Sequence, residues 1–461
     1  MKPSVITNVV RCDPSLCIGC GLCAALCPQE ALEMAWNKHG EYNPIETTPC
    51  ISECGICLKV CPFADHKENE DTIGKELFAR VPGIGHRPET GYYLASYVGY
   101  AEKHRSSGAS GGMATWLLER LLAEDVVDYV ICVAPTGNPE KLFSFTIFDT
   151  PEGVRAGAGS AYYPVEMSGV SKKVIEVPGR YAVTGLPCFI KAIRLAQQRN
   201  TKIRERVVIT IGLVCGQLKT RHFTDYVAAF ARVQGKVTGV RYRGKSPNHP
   251  ASNYHYAFKT ENGEETRIFW SEGIAEAWTS RWFTPNACNY CDDIFAECAD
   301  ITCMDAWLPE YSKDSRGTSL VLVRSPLVGE IVARGQGVSL DALPVKQVVQ
   351  SQAGVVAVKR RHLAYHLYLD QKKGYRVPEK RVAPKRPKNP FLRQEVVLKE
   401  RMRVMSRDLW AIDKQDTKRL RKDMLPSLRQ LATERQIAEV IKFPVGILRR
   451  TWEKLRSSHH E

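Results

Sequence analysis

Two short runs gather eight of the sixteen cysteines of this 461-residue chain. Cys17, Cys20, Cys23 and Cys27 follow C-x2-C-x2-C-x3-C-P, and Cys50, Cys54, Cys57 and Cys61 follow C-x3-C-x2-C-x3-C-P. Thiols this close can clamp a zinc, close disulfides or hold an inorganic cluster. Zinc knots pair C-x2-C units across longer gaps. A third cysteine at the same short interval instead lets three thiolates cap three corners of a 4Fe-4S cubane, and the fourth cysteine of each run ligates the other cluster. The spacing therefore assigns Cys17, Cys20 and Cys23 with Cys61 to one cluster, and Cys50, Cys54 and Cys57 with Cys27 to the other. The proline after each fourth cysteine ends a helix and turns the chain away. One extra residue between Cys50 and Cys54 bulges a loop without removing a ligand. Cys12 precedes the pattern and reads as a buried bystander.

Cysteines return in "TGLPC" (Cys188), "GLVC" (Cys215) and "CNYCDDIFAECADITC" (Cys288, Cys291, Cys298, Cys303). Cys188 and Cys215 each follow a strand-like run, so both fall at strand ends on one sheet edge. With the Cys288–Cys291 pair they make four ligands. From spacing alone this group is equally a zinc ribbon or an iron–sulfur site, with Cys298 and Cys303 as reserve ligands or core residues. "SSGASGGMATWLL" (Ser106 to Leu118) puts small residues before a helix, where backbone N–H groups and the helix N-terminus can meet a phosphate. A plain N-cap with tight packing is the competing reading. "GAGSAYYP" (Gly157 to Pro164) is a second, weaker loop of this kind. Neither has the spacing of a dinucleotide fingerprint or a P-loop. "VRYRGKSP" puts Arg241, Arg243 and Lys245 on one face of a strand end, an anion site or else a solvated edge.

The elements that must hold these residues are legible in outline. YVICVA, RYAVTGL and RVVITIGLVC read as buried strands, and ATWLLERLLAE and CFIKAIRLAQQ as helices. The fold class is therefore α+β or α/β. It has a ferredoxin-like domain over 1–65, a polar linker over 66–92 and a mixed α/β body over 93–175 and 176–352. A basic helical tail covers 353–461. From Lys359 to Glu461 there are 28 Lys and Arg against 12 Asp and Glu, an excess of 16; the preceding residues carry 37 against 38. The body is neutral and the charge sits in the tail. The start lacks a secretory apolar segment and no run nears 18 apolar residues, so a cytoplasmic, thiol-reducing setting is expected.

The order of these motifs resembles the coenzyme F-420 hydrogenase/dehydrogenase beta-subunit family. The resemblance is carried by the ferredoxin segment, "SSGASGGMATWLL", "GAGSAYYP", "VTGLPCFIKAIR", "IGLVCG", "CNYCDD…ADITCMDAW" and "GTSLVLVRS", over about residues 1–330. It implies an iron–sulfur flavoprotein oxidoreductase that binds FAD beside a further 4Fe-4S cluster, and exchanges electrons between a two-electron carrier, often F-420, and one-electron centres. It implies Cys188, Cys215, Cys288 and Cys291 as ligands of a third cluster. It also implies loops around the flavin at Gly108, Gly111, Gly112, Thr115, Ser160 and Thr184. Asp300 and Asp305 match as well; Asp305 either pairs with a basic group or orients a ring, or it caps a turn. No catalytic side chain is implied, because the redox chemistry belongs to the cofactors. The alternatives are a relay subunit that only passes electrons to a partner reductase, and a zinc-stabilised binding protein.

From Leu425 the tail places Leu428, Leu431, Val440, Ile441, Ile447, Leu448, Trp452 and Leu455 near helical spacing, with Pro444 expected to interrupt the helix. It reads as a helix docked on the body, a surface for an acidic redox partner, or a peripheral contact with anionic lipid, the last two favoured by the charge. Nucleic acid is not expected, since no reading domain accompanies the tail.

Overall fold

The computed structural model describes residues 14–50, 54–64, 68–375, 379–414 and 416–457, the last of these as backbone alone from 441 onward. Cys12 and the side chains of Ile441, Ile447, Leu448, Trp452 and Leu455 lie outside the described residues.

Two hairpins precede the body: β1 (Leu32–Trp36) with β2 (Tyr42–Glu46), and β3 (Gly85–Arg87) with β4 (Gly91–Tyr93). The body is built on β5 (Ala95–Ala101), β6 (Tyr129–Asn138), β7 (Lys141–Phe148), β8 (Tyr181–Gly185) and β9 (Val207–Leu213). A side sheet of β10 (Val237–Gly244), β11 (His255–Thr260) and β12 (Glu265–Phe269) follows, and then β13 (Ile301–Asp305), β14 (Ser319–Val323) and β15 (Val338–Ala342). The main sheet runs in the order β15-β5-β14-β13-β9-β8-β6-β7. Its centre, β13-β9-β8-β6, is parallel, and antiparallel strands flank it on both sides. β8 and β14 are buried along their whole length, as apolar runs in a sheet covered on both faces should be. The predicted strands become β6, β8 and β9, and the predicted helices become Met113–Ala123 and Pro187–Arg199.

The cysteine-rich segment is docked on this body. Met167 N donates to Cys20 O at 3.0 Å, and Cys20, Leu22, Ala25, Leu26 and Val60 share a core with Phe189, Ile190 and Ile193. Gly21 permits the approach: its φ is +82°, and a Cβ there would meet Glu166 Oε2 and Ser168 N at 2.8 Å.

Two stretches depart from the sequence reading. The linker over 66–92 is not loose. It forms helix Glu70–Phe78, started by a capping box between Asn69 and Thr72, and buries Ile73 and Phe78. Residues 353–461 do not form an appendage either. Helix Pro390–Ile412 buries Val396, Leu398, Met402 and Trp410, and Leu420, Met424 and Leu431 of helix Thr417–Ser457 complete the same aromatic core as Phe223, Tyr226 and Phe283. Docking on the body is therefore the reading that describes the chain up to Leu431, because its apolar face is used there; Val440 is exposed. Helix Thr417–Ser457 runs through Pro444. A proline removes one bond to the residue four earlier without ending this helix. No described helix is long and apolar enough to cross a membrane.

The segment ahead of helix Pro390–Ile412 carries Arg381, whose side chain is buried against acids from two other segments. It meets Glu297 at 2.7 Å, Asp71 at 2.8 Å, and Glu70 and Asp292 at 3.5 Å. Trp410 offers the simplest test of the docked extension. Trp410→Ala should lower stability by about 3–5 kcal/mol, the usual cost of deleting a buried aromatic side chain. Chemical denaturation reads this directly, and an unchanged midpoint would mean that the extension does not share the core.

Candidate functional site

In the N-terminal segment the buried thiols of the first run stand near one another and near Cys61. Burial raises Cys20 far above the ordinary thiol value, and the neighbouring Cys61 and Cys17 push it further. Cys23 is raised by burial and then by Cys20, Cys17, Cys61 and Cys57. Cys17, Cys20, Cys23 and Cys61 thus surround one space. Cys57 packs with Cys23 and Cys27. Cys50 and Cys54 lie half-buried, and Cys50 N donates to Glu46 Oε1 at 2.8 Å. N–H groups already point at sulfur: Gly19 N to Cys17 Sγ and Ala31 N to Cys27 Sγ, both at 3.3 Å. Thiols raised this far are protonated when free and lose their protons only to a metal.

A second thiol group forms at the carboxyl ends of two adjacent parallel strands. β8 ends at Gly185 and leads into helix Pro187–Arg199, which carries Cys188 in its first turn; β9 ends at Leu213, two residues before Cys215. The 3-10 turn Asn286–Tyr290 adds Cys288, and Cys291 follows it. Burial raises Cys188 well above the usual thiol range, and Cys291, Cys215 and Cys288 raise it further. Cys215 is pushed up to about 12 by burial. Leu218 N donates to Cys288 Sγ at 3.2 Å. Cys298 and Cys303 stand apart from this group. Cys298 is surrounded by Glu70, Asp293 and Lys191, and Cys303, in β13, is shifted by burial alone. Among the described residues no three His, Cys, Asp or Glu side chains close onto a single-ion site.

Buried cations face this group. Lys359 is 2% exposed, in a turn packed against the 3-10 turn that carries Cys288; burial works against its charge, but the thiols of Cys291, Cys288 and Cys215 raise it above the ordinary lysine value. Arg281, also buried, faces Cys288 and Cys291 and donates to Asn289 Oδ1 at 2.9 Å. Lys219, which burial and the neighbouring Arg281 push well below the ordinary lysine value, donates to Trp282 O at 2.7 Å and Thr284 Oγ1 at 3.2 Å and is the weakest of the three as a cation. Spacing in the sequence says nothing of these three. Lys359 reads there as the first residue of a basic tail, and only tertiary proximity gives it a site.

Of the other candidate residues, Arg243 and Lys245 line a cleft together with Ala109, Tyr254, Ser315 and Gly317; Gly108, Gly111, Gly112, Thr115, Ser160 and Thr184 are not in its lining. Arg243 is buried and forms two hydrogen bonds with Asp305, at 3.0 and 3.1 Å, so Asp305 pairs with a basic group rather than capping a turn. The guanidinium also lies 4.2 Å above the Tyr254 ring and 5.2 Å from that of Trp307. Arg241 donates to Ser106 O at 2.9 Å, and Lys245 donates to Arg105 O and to Ser110 O. Arg241 and Lys245 of "VRYRGK" therefore reach the Ser/Gly loop, while Arg243 is held by Asp305 across the cleft. Arg105, which no sequence motif marks, joins them, bound to Gly317 O and Asp314. Arg243 Nε and Arg105 Nη1 are buried without a protein partner. Unpaired cationic N–H groups beside a cleft fit an anionic group of a ligand.

The glycines of that loop serve mainly to pack it. A Cβ on Gly111 would meet Gly99 O at 2.6 Å, and Gly112 adopts φ +82° at the start of helix Met113–Ala123. Gly108 N donates to His104 O and Gly111 N to Ser319 Oγ, so these two N–H groups are engaged within the protein. Thr115 is buried in the helix, and Thr184 Oγ1 donates to Ile131 O inside the sheet. Ser160 is half-buried in a loop whose Gly159 faces Ser107 O at 4.0 Å, which sets the two small-residue loops side by side. Asp300 lies away from the cleft, bound by Arg194 and by Thr210.

Comparison with known proteins agrees with this layout. Residues 16–64 match the family model described as a 4Fe-4S dicluster domain. Residues 96–172 match the coenzyme F420 hydrogenase/dehydrogenase beta subunit N-terminal model, and residues 179–340 match its C-terminal counterpart. The chain is 24% identical over 220 residues to a subunit of the F(420)H(2) dehydrogenase of Methanosarcina mazei, covering 46% of this chain and 56% of that one. It is 25% identical over 191 residues to the coenzyme F420-dependent sulfite reductase of Methanocaldococcus jannaschii, covering 40% and 26%. A chain of the F420-reducing NiFe hydrogenase complex of Methanosarcina barkeri superposes with a TM-score of 0.48 at 18% identity, over 64% of this chain and 99% of that one. The aligned part is thus less than two thirds of each of these curated relatives. With its two halves both matched and together spanning more than half of the sequence, the chain belongs to the coenzyme F420 hydrogenase/dehydrogenase beta-subunit family and carries a 4Fe-4S dicluster domain ahead of it.

Proposed function

We propose that this chain is an iron–sulfur flavoprotein oxidoreductase subunit, exchanging electrons between a two-electron carrier and one-electron centres in a partner protein. The observation that carries the reading is the pairing of a buried four-thiol group at the ends of β8 and β9 with a cationic cleft over the Ser/Gly loop of the same body. Cys188, Cys215, Cys288 and Cys291 would hold a third 4Fe-4S cluster, four buried thiols supplying a ligand to each of its irons. Arg243, Lys245, Arg241 and Arg105 would hold the anionic part of FAD, and the loops at Gly108, Gly111, Gly112, Thr115, Ser160 and Thr184 would flank it. When bound, the flavin supplies two-electron acceptance with release of single electrons, and the clusters store them one at a time. The chain's own residues bind and orient. Asp305 fixes the Arg243 guanidinium, Tyr254 and Trp307 pack on it, and burial keeps water from the thiols. The deazaflavin F-420 as carrier, a protein partner and a peripheral membrane contact through the basic extension belong to the same reading; the first two have support in the names of the relatives.

A relay subunit without its own two-electron chemistry is the second reading, favoured by the engagement of the Gly108 and Gly111 N–H groups within the protein. Anaerobic purification with iron, sulfide and flavin quantification separates the two. Bound flavin with iron for three cubanes is the expected result, and iron without flavin would leave the relay. The double change Cys288→Ser, Cys291→Ser should remove about a third of the iron while both N-terminal clusters stay visible by EPR. Loss of an N-terminal signal instead would overturn the ligand assignment.

The cleft makes its own prediction. Burial, followed by Arg243, Arg105 and Arg241, lowers Lys245 to about 7. Its charge is then present below about pH 7 and lost above it, while an unfolded lysine stays charged to about 10.4. Flavin retention on gel filtration should fall between about pH 6 and about pH 9, and Lys245→Met should flatten that dependence. Equal retention by the native protein at both pH values would remove Lys245 from the anion site.

A further inference from the structure

The third thiol group differs from the N-terminal ones in what surrounds it. The groups that act most on Cys17, Cys20 and Cys23 are burial, backbone N–H groups and other thiols, with Asn43 and Glu41 beside Cys17. Around Cys188, Cys215, Cys288 and Cys291 stand Lys359, Arg281 and Lys219, all buried. Among the described residues none of the three has a carboxylate within ion-pair distance. The acids beside Cys291 are otherwise engaged: Asp292 pairs with Arg381, and Asp293 accepts from Glu297 N. A buried cation without a carboxylate is costly unless another anion compensates it. Here the available anions are the thiolates.

Lys359 is the most closely placed of the three. It occupies a π-helical turn, Val358–His362, the single element of that kind among the described residues. Such turns add one residue to a helix and re-aim its side chains, frequently at functional sites. This one aims Lys359 inward while the next residue, Arg360, reaches Pro88 O at 3.0 Å on the other side. A cluster held by four thiolates is a net anion that gains one more negative charge on reduction. A fixed positive charge in the water-poor interior therefore stabilises the reduced form more than the oxidised one.

We propose that Lys359 is a positioning residue of the third cluster, whose buried charge, in a turn packed against the one that bears Cys288, raises that cluster's reduction potential and makes it the preferred site for electrons entering the chain. The inference rests on the third-cluster reading given above. It concerns the charge of Lys359.

The test is an EPR-monitored redox titration of the full-length, anaerobically purified protein and its Lys359→Met, Lys359→Gln and Lys359→Arg variants. Lys359→Met and Lys359→Gln should each lower the reduction equilibrium constant of the third cluster tenfold or more, about 59 mV for a one-electron couple. Lys359→Arg should keep it near the native value, and the two N-terminal clusters should not move in any variant. A native midpoint in Lys359→Met would overturn the proposal. So would a native midpoint in Lys359→Gln alone, which would assign the effect to hydrogen bonding. Should the Lys359 variants lose iron, Arg281→Gln carries the same expectation, since it removes a second buried cation facing the same thiols; an unmoved midpoint there would overturn the role of buried charge. Native protein with iron for two cubanes only would instead refute the third cluster itself, an outcome seen before any variant is titrated.

Discussion

Buried charge is the constraint that organises this molecule, and Arg381 is where it is most concentrated. Glu297 grips its guanidinium with both carboxylate oxygens, at 2.7 and 3.0 Å, while Glu70, Asp71 and Asp292 stand around it. These acids hold Arg381 charged against the cost of burial. A buried arginine among carboxylates is worth little beside a well-packed apolar core, yet breaking it from one side is expensive. Its importance here is topological. Glu70 and Asp71 begin the helix after the cysteine-rich segment, Asp292 and Glu297 follow Cys291, and Arg381 belongs to the C-terminal extension. One side chain pins three distant parts of the chain beside the third thiol group.

A second continuity joins the two candidate sites. Asp305, at the end of β13, holds Arg243 in the cleft, and its backbone oxygen accepts from Gln352 Nε2 at 2.9 Å and from Ser351 Oγ. Trp307 N donates to the same Ser351 hydroxyl at 2.8 Å. The chain then runs from Ser351 through helix Ala353–Ala357 into the turn that carries Lys359. The cleft and the thiols therefore share one edge of the parallel sheet, the edge where α/β folds place their ligands, and they share the segment that closes it.

Much of this was readable from residue order, and the part that was not has a physical reason. Cysteine spacing predicts which thiols of the first cluster gather, because their grouping is local apart from the exchange of Cys61. The strands β6, β8 and β9 and the helix after Cys188 announce themselves by apolar period. Lys359, Arg281 and Arg381 do not, since a cation acquires its role only from what lies opposite, and that is set by tertiary packing. Charge arithmetic misled for the same reason. The excess of 16 after residue 358 suggested a free basic surface, but Lys359, Arg381, Lys399 and Arg403 of that stretch are buried or nearly so. Charges that look like a surface field are partly spent on compensating acids and thiolates inside.

The placement of Lys359 and Arg381 also bears on the order in which the molecule is made. Every cysteine of the third group has left the ribosome by residue 291, but the cation that meets them and the arginine that pins their loop follow about 70 and 90 residues later. At synthesis rates of roughly 5–20 residues per second the thiols stand exposed for several seconds without their closing segment. The helices that close over this interior follow later still. The thiols are thus more open during translation than in the finished fold, and a nascent chain that stops before those helices keeps its thiols without enclosing them.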